Sequence, residues 1–433
     1  MRAWGHEVQG SDRAFDQGKQ RDLATTLTED GVELLPQDGT AITAELHRFV
    51  YSTAVESDTP EVRAARSLEI ERVPRPALLA EVVNGGAPGI AVAGTSGKST
   101  VTGMIGWILR RAKFPATVLG GAELVGEGVS GCFAAGPKKG AVVAEACESD
   151  GTLVGYAPGI GLILNVSRDH EELASLRTQF TTFAAQCQTL IVNAASAEAR
   201  AIGDELGALT FGRAEDATYR LEVRSEGPER ATGTLFGPGV TIALDIPQPG
   251  VHNLENASAA ATAALCLGLP AGAIVGALRW FPGVARRFEV VGTTASGVRV
   301  VDDYAHNADK IRAAITTAQT AGRVIAVFQP HGFGPARFLR PELRELLPKL
   351  LRPEDRFCYA EIFYAGGTVA KDLSSRDLVA DLPASLHAGY AENHDAVVRW
   401  VKAEVKPGHT VLIMGARDPD LPALARSVFA ALG

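Results

Sequence analysis

A short glycine-containing loop constrains the fold of this chain more than any other feature. Residues Gly94-Thr-Ser-Gly-Lys-Ser-Thr100 follow an apolar run typical of a buried strand, and they precede a predicted helix from Thr100 to Ala112. In such a loop, glycines let backbone N–H groups surround phosphate oxygens, and the helix N-terminus adds its positive dipole end. The alternative is a glycine turn that merely starts a helix, which the Lys-Ser pair after Gly97 disfavours. The loop predicts a phosphate site in an α/β protein.

The residues of this loop have distinct predicted roles. Lys98 would bridge the outer phosphates, and the Ser99 hydroxyl would ligate Mg²⁺. The first glycine lies at position 94 instead of position 92, which departs from the general pattern of phosphate loops. The remaining positions are predicted to surround the nucleotide phosphates: Gly94, Thr95, Ser96, Gly97 and Thr100.

Composition limits the class of protein. A length of 433 residues predicts two to four domains, and 46% hydrophobic with 21% charged residues excludes a disordered or fibrous chain. A net charge of −8 argues against nucleic acid as a partner, because phosphate binding along a polymer requires a basic face. The five cysteines form no CxxC pair, which favours a reducing cytosol over a disulfide or zinc framework.

One uncharged stretch approaches the length of a membrane span. Residues 256–278 are rich in Ala and Gly and are broken by Leu267-Gly-Leu-Pro-Ala271. A buried helix that ends at Gly268 and Pro270 is the favoured interpretation, and the N-terminus lacks the apolar core of a signal peptide. We expect a cytoplasmic protein with no membrane partner, as a monomer or homodimer.

The order of apolar runs predicts fold class. Short buried strands alternate with helices across the centre and again after Phe281-Pro-Gly283, which is typical of parallel sheets with crossover helices. Alternating residues between Tyr219 and Ile246 predict a small antiparallel insert. Strands are predicted at 90–94, 141–145, 161–165, 190–193, 298–301, 324–328, 357–360 and 410–414, and helices at 310–320, 341–351 and 395–404.

Polar residues follow the central strands. Glu145 ends a strand on the edge that carries the phosphate loop, where a carboxylate can hold Mg²⁺, although a solvated glutamate is the alternative. His170 follows the next strand, and chemistry alone favours a general polar role because imidazole is an unusual Mg²⁺ ligand. Asn253 and Asn256 begin a helix and are compatible with simple capping.

Seven segments, taken in order, resemble the Mur ligases, the cytoplasmic amide-bond ligases of peptidoglycan assembly. The resemblance covers nearly the whole chain and is nearest to the branch that adds L-alanine to UDP-N-acetylmuramate. It implies three α/β domains: an N-terminal Rossmann-like UDP-sugar domain (1–86), a central ATP-binding domain (87–284) and a C-terminal Rossmann-like amino-acid domain (285–433). The segments are Gly94–Thr100, Glu145–Gly151, Asn165–His170, Gly250–Ala257, Arg286–Glu289, Asp302–His306 and Phe328–His331.

The resemblance implies roles for individual residues. Glu145 and His170 would be Mg²⁺ ligands, Arg287 would reach ATP, and Asp303 would meet the ribose. A substrate carboxylate would attack the γ-phosphate to give an acyl phosphate, and an amine would then displace phosphate. Further implied contacts are His252, Asn253 and Asn256 for adenine, His306 and His331 for the amino acid, and Ser11, Asp12, Ser52 and Thr53 for the UDP-sugar. No lysine occurs between Lys139 and Lys310, so the carbamylated lysine of many relatives is absent there.

The chain also departs from the family pattern. It begins beyond the expected first strand and glycine loop, so we expect an N-terminal domain that lacks both. Gly332-Phe-Gly-Pro-Ala336 replaces the segment that carries two substrate-holding arginines, and Arg337 is the nearest guanidinium. Cys147 and Arg417 replace a family aspartate and glycine. Two alternatives remain open: a murein peptide ligase or paralogue with another amino acid and acceptor, and a non-catalytic ATP-binding protein of the same fold.

Overall fold

A computed structural model describes residues 1–53, 55–127, 132–148, 151–167, 173–364 and 370–433, with backbone only for 132–134. Two units emerge. The first contains residues 1–121, 130–219 and 259–270, and the second contains 122–129, 220–258 and 271–433.

The N-terminal segment alternates short strands and helices. Its strands form two separate parallel pairs, β1 with β2 and β3 with β4. The bounds are β1 (Gln9–Gly10), α1 (Arg13–Asp16), α2 (Arg21–Glu29), β2 (Glu33–Leu34), β3 (Arg48–Tyr51), α3 (Pro60–Ser67), β4 (Glu71–Pro74) and α4 (Arg75–Asn84).

The central segment contains ten strands and five helices among its described residues. Their bounds are β5 (Gly89–Ala93), α5 (Lys98–Arg111), β6 (Ala116–Leu119), β7 (Cys132–Ala134), β8 (Ala141–Ala146), β9 (Ile160–Ile163), α6 (Leu173–Gln186), β10 (Thr189–Asn193), α7 (Ala197–Leu206), β11 (Leu209–Gly212), β12 (Tyr219–Glu226), β13 (Ala231–Gly237), β14 (Val240–Ile246), α8 (Val251–Cys266) and α9 (Ala271–Leu278).

In the first unit the central strands form a sheet in the order β11-β10-β9-β5-β8-β6-β7. All neighbours in it are parallel except β6 and β7. Strand β5 is buried at every position, as expected for a strand covered on both faces by helices. Parallel strands place their carboxyl ends at one edge, so the residues after β5, β8 and β9 lie close together.

In the second unit, β12, β13 and β14 form the predicted antiparallel insert. The C-terminal segment forms a six-stranded sheet in the order β15-β16-β20-β17-β18-β19, antiparallel only at β15. Its bounds are β15 (Glu289–Thr293), β16 (Arg299–Asp303), α10 (Ala308–Gln319), β17 (Val324–Gln329), α11 (Phe333–Leu350), β18 (Arg356–Ala360), α12 (Ser375–Ala380), β19 (Gly389–Ala391), α13 (His394–Glu404), β20 (Thr410–Gly415) and α14 (Leu421–Leu432).

Strand β17 shows how this second sheet is buried. Val324, Ala326 and Phe328 pack in the core beneath α10, α11 and α12, whereas Ile325 and Val327 pack in the core beneath α13 and α14. Successive side chains of a strand point to opposite faces, so a continuous apolar run fits a sheet covered on both sides. The predicted α/β class, with doubly wound parallel sheets, is confirmed.

Several helices begin earlier than the sequence predicts, among them α5 and α11. Helix α5 begins at Lys98, because Gly97 adopts the left-handed conformation that caps it. Helix α11 begins at Phe333, eight residues before the predicted start at Pro341, and the buried residues Phe333, Ala336 and Leu339 continue its apolar face through that region. The uncharged stretch forms α8 and α9, and none of the described helices combines the length and apolarity that a membrane crossing requires.

Candidate functional site

The phosphate loop joins β5 to α5. Gly94 has φ of 143° and Gly97 has φ of 88°, values that L side chains rarely adopt. A Cβ atom on Gly94 would lie 3.0 Å from Leu164 Cβ, so the loop also packs closely against the end of β9. The loop therefore leads directly into the N-terminus of α5, as the sequence predicts.

Lys98 is held by a carboxylate that the sequence interpretation did not single out. Its Nζ lies 2.8 Å from Glu148 Oε2 and 2.6 Å from the Gly94 carbonyl oxygen. Both side chains are largely buried, at 14% exposed for Lys98 and 7% for Glu148. Glu148 follows β8, three residues after Glu145. That position, at the carboxyl edge of the sheet, is the feature of the sequence that could have identified it.

Ser99 and Glu145 form a second contact at this edge. The Ser99 hydroxyl donates to Glu145 Oε2 at 3.0 Å, and Gly121 N donates to Glu145 Oε1 at 2.7 Å. A hydroxyl and a carboxylate oxygen side by side are the hard ligands that Mg²⁺ prefers, so these residues fit the predicted ion. Within the described ranges, no three His, Cys, Asp or Glu side chains form a metal cluster. The third predicted ligand, His170, lies outside the described residues.

Asn165 ties the loop to β9. Its Oδ1 accepts from Ser96 N and from the Thr95 hydroxyl, both at 2.8 Å, and its Nδ2 donates to the Ser96 carbonyl at 3.0 Å. The Thr95 hydroxyl also lies 2.9 Å from the Ser167 hydroxyl. The Thr95 side chain and the Ser96 backbone therefore hold the shape of the loop. Asn165 is a supporting residue that the motif contained but the role assignment missed.

The residues predicted to contact adenine begin α8 in the second unit. His252 is exposed. Asn253 is buried and donates from Nδ2 to the Pro249 carbonyl at 2.7 Å, and Asn256 donates to Asn253 Oδ1 at 3.3 Å. These bonds are local, so the capping alternative and the nucleotide role both stay open.

Two adjacent arginines near the start of the C-terminal segment have different partners. Arg286 pairs with the buried Asp302, Nε to Oδ2 at 3.3 Å, and donates to the Gly415 carbonyl at 2.8 Å. Arg287 packs over the Tyr304 ring, with Cζ 4.9 Å from the centroid. Arg286 thus has a structural partner set, and Arg287 remains the predicted ATP contact.

Asp302 and Asp303 end β16 in an environment that disfavours charge. Burial raises the pKa of Asp302 to about 6, against the opposing attraction of Arg286. Burial also raises the pKa of Asp303, opposed by the charge of Arg287. The Asp303 oxygens accept from Phe288 N and Ala305 N, both at 2.7 Å, so this carboxylate fixes the turn after β16.

His306 and His331 come together at the carboxyl edge of the second sheet. Their ring centroids are 5.5 Å apart in an edge-to-face arrangement, and His331 is 7% exposed. His306 Nδ1 lies 2.8 Å from the Tyr304 carbonyl, and Lys310 Nζ lies 3.5 Å from His306 Nε2. Lys310 is a third member of this cluster that the sequence interpretation missed. Its place four residues after His306, in the first turn of a helix, was the only signal.

The remaining predicted substrate contacts are dispersed. Ser11 and Asp12 follow β1, whereas Ser52 and Thr53 follow β3, and these strands belong to two different sheets. Asp12 caps α1 by accepting from Ala14 N at 2.7 Å. Arg337, which the sequence places nearest to the altered 332–336 segment, forms an ion pair with Asp372.

Comparison with known proteins identifies the family. Profiles described as "Mur ligase family, catalytic domain", "Mur ligase middle domain" and "Mur ligase, glutamate ligase domain" match residues 1–86, 92–264 and 286–417. The UDP-N-acetylmuramate–L-alanine ligase of Halorhodospira halophila is 32% identical over 386 residues, 85% of this chain and 78% of that protein. This chain belongs to the Mur ligase family. The predicted resemblance is confirmed, and so is its enzyme class, an ATP-dependent ligase.

Further relatives and solved structures are similar to this chain over most of its length. The UDP-N-acetylmuramate–L-alanine ligase of Thermobifida fusca is 31% identical, covering 96% of this chain and 89% of the relative. Among solved structures, the UDP-N-acetylmuramate-alanine ligase of Thermotoga maritima aligns with a TM-score of 0.77 at 22% identity, covering 98% and 99% of the two chains. A murein peptide ligase from Psychrobacter arcticus aligns with a TM-score of 0.66 at 21% identity, covering 100% and 95%. These structures share the three-domain Mur ligase fold with this chain.

Proposed function

We propose that this Mur ligase couples an amino acid to a carboxylate of a UDP-N-acetylmuramate-type sugar nucleotide in peptidoglycan biosynthesis, with L-alanine as the amino acid. The observation that carries the proposal is the joint placement of Lys98, Ser99 and Glu145 at the carboxyl edge of the parallel sheet. Relatives named for this reaction, over most of both chains, support the substrate assignment.

The phosphate loop would bind ATP. Backbone N–H groups of the loop would surround the phosphates, and Lys98 would leave Glu148 to bridge the outer ones. Ser99 and Glu145 would hold Mg²⁺, which supplies positive charge against the phosphate oxygens when bound. His170 stays a predicted third ligand, and His252, Asn253, Asn256 and Asp303 stay predicted contacts to the nucleoside.

The chemistry would proceed in two steps. The acceptor carboxylate attacks the γ-phosphorus and ADP leaves, which gives an acyl phosphate. The amine then attacks the acyl carbon, the C–O bond to phosphate breaks, and the nitrogen loses one proton as the amide forms. Arg287 and Lys98 would stabilise charge on the transferring phosphoryl group, and His306 with His331 would orient the amine.

The domain roles follow the same proposal. Residues 1–86 would bind the UDP-sugar, with Ser11, Asp12, Ser52 and Thr53 as contacts, 87–284 would bind ATP, and 285–433 would bind the amino acid. The altered segment Gly332–Ala336 favours a second candidate, a paralogue that uses another amine, because these five residues after His331 include no cation.

A phosphate-release screen tests both candidates. The purified chain is incubated with ATP, Mg²⁺, UDP-N-acetylmuramate and single amino acids, and release that depends on L-alanine supports the leading proposal. Release with another amino acid supports the paralogue. ATP binding without amino-acid-dependent release would contradict both and indicate a non-catalytic protein. The control is the double variant Lys98→Ala/Glu148→Gln, which removes the lysine without leaving a buried carboxylate unpaired.

A further inference from the structure

The first turn of α10 holds Lys310 beside the histidine pair. Asn307 caps this helix, and its Oδ1 accepts from Lys310 N at 3.0 Å. The Lys310 side chain is half-buried, and its Nζ lies 3.5 Å from His306 Nε2. The cap fixes the backbone at position 310, and the ammonium group lies at the edge of the His306 ring.

The hydrogen bonds of His306 define which ring atom faces the lysine. Nδ1 lies 2.8 Å from the Tyr304 carbonyl oxygen, which can only accept, so Nδ1 carries the proton and donates. In the neutral ring Nε2 is then the acceptor for the Lys310 ammonium.

The arginines that follow His331 in sequence are engaged elsewhere. Residues Gly332 to Ala336 carry no charge. Arg337 pairs with Asp372, and Arg340 forms a two-point contact with Asp381. Lys310, in contrast, lies against His306, whose ring packs against His331.

We propose that Lys310 binds the α-carboxylate of the incoming amino acid, next to His306 and His331. The inference rests on the proposed ligase function. A carboxylate and an ammonium group form a charge-assisted hydrogen bond. Lysine provides a compact point charge on a flexible stem, whereas the planar guanidinium of an arginine can bind both oxygens of a carboxylate. Lys310 would therefore attract the carboxylate without setting the orientation of its plane.

The test compares the preferred amino acid with its amide, which keeps the amine and loses the carboxylate charge. For Lys310→Gln we expect the KM for the amino acid to rise roughly 10- to 100-fold, the loss expected for a hydrogen bond to a charged group, with the KM for ATP unchanged. The amide, a poor substrate of the unaltered enzyme, should react equally well with both proteins. Lys310→Arg should restore part of the loss. Arg312→Gln removes an exposed cation of the same helix and should have no effect.

The possible results separate the two proposals. An unaltered enzyme that is active, with an unchanged amino-acid KM in Lys310→Gln, overturns the role of Lys310 and leaves the ligase function intact. An equal loss for acid and amide also overturns it, because Lys310 would then only position His306. Absence of amino-acid-dependent release in the unaltered enzyme overturns both. Lys310→Met serves as the second variant, judged by the same acid-to-amide ratio, if the glutamine protein does not fold.

Discussion

Lys98 of the phosphate loop and Glu148, which follows β8, form a buried ion pair, with Nζ 2.8 Å from Oε2. The pair neutralises the lysine in the absence of nucleotide, so phosphate oxygens must replace a carboxylate that is already in place. It also means that neither residue can be removed without consequence for the other.

Lys98→Ala should therefore destabilise the fold as well as abolish phosphate release. Removing one partner leaves Glu148 charged and buried, and we expect the free energy of unfolding to fall by about 3 kcal/mol. Adding Glu148→Gln should recover most of that loss without restoring activity. Urea unfolding of the two single variants and the double variant measures the coupling. Additive losses in the double variant would show that the pair does not contribute as described.

Glu145→Gln should weaken metal dependence selectively. The amide can still accept from Gly121 N, so the local fold should persist, but the site loses its negative charge. We expect the Mg²⁺ concentration for half-maximal phosphate release to rise at least roughly 10-fold. Nucleotide binding measured without metal should stay within a factor of two. An unchanged Mg²⁺ requirement would exclude Glu145 as a ligand.

Asn165→Ala should loosen the phosphate loop and weaken ATP binding without changing amino-acid binding. The change removes three hydrogen bonds to Thr95 and Ser96. At about 1 kcal/mol for a net hydrogen bond, the Kd for ATP should rise roughly 10-fold or more, whereas the KM for the amino acid should not change. Isothermal titration with ATP measures the first quantity. Asn84→Ala, which also removes side-chain bonds to backbone in the first unit but away from the loop, is the matched control.

Asp302→Asn should change the pH dependence of the free energy of unfolding. With a pKa of about 6 when folded and 3.8 when unfolded, Asp302 binds its proton more tightly in the folded state. Its favourable contribution is complete below pH 3.8 and is lost as the pH rises through 6. Relative to the unaltered chain, the asparagine variant should gain about 2 kcal/mol in unfolding free energy between pH 4 and pH 7.5, because part of the contribution is already lost at pH 4. A difference that does not vary with pH would contradict this account.

Sequence patterns predicted the elements that are buried on both faces most reliably. Strands such as β5 and β17 are continuous apolar runs, and the phosphate loop has a spacing that few other structures share. The missed residues have no such pattern. Glu148, Asn165 and Lys310 acquire their roles from contacts with residues 50, 69 and four positions away, respectively, and polar residues make such contacts only once the backbone has placed them. The early start of α11 was missed because Pro341 is typical of a helix start, and here it lies inside the helix.

The backbone around Arg287 has a consequence for engineering this enzyme. Its two neighbours, Arg286 and Phe288, both have positive φ, at 59° and 54°, a conformation that glycine adopts freely. Glycine at either position would relieve local strain, but it would also enlarge the set of conformations open to the arginine between them. Neither change would stabilise the protein, because Phe288 is buried in the core and Arg286 pairs with the buried Asp302. The two strained residues are therefore kept by their side chains, and together they restrict the backbone of Arg287 from both sides.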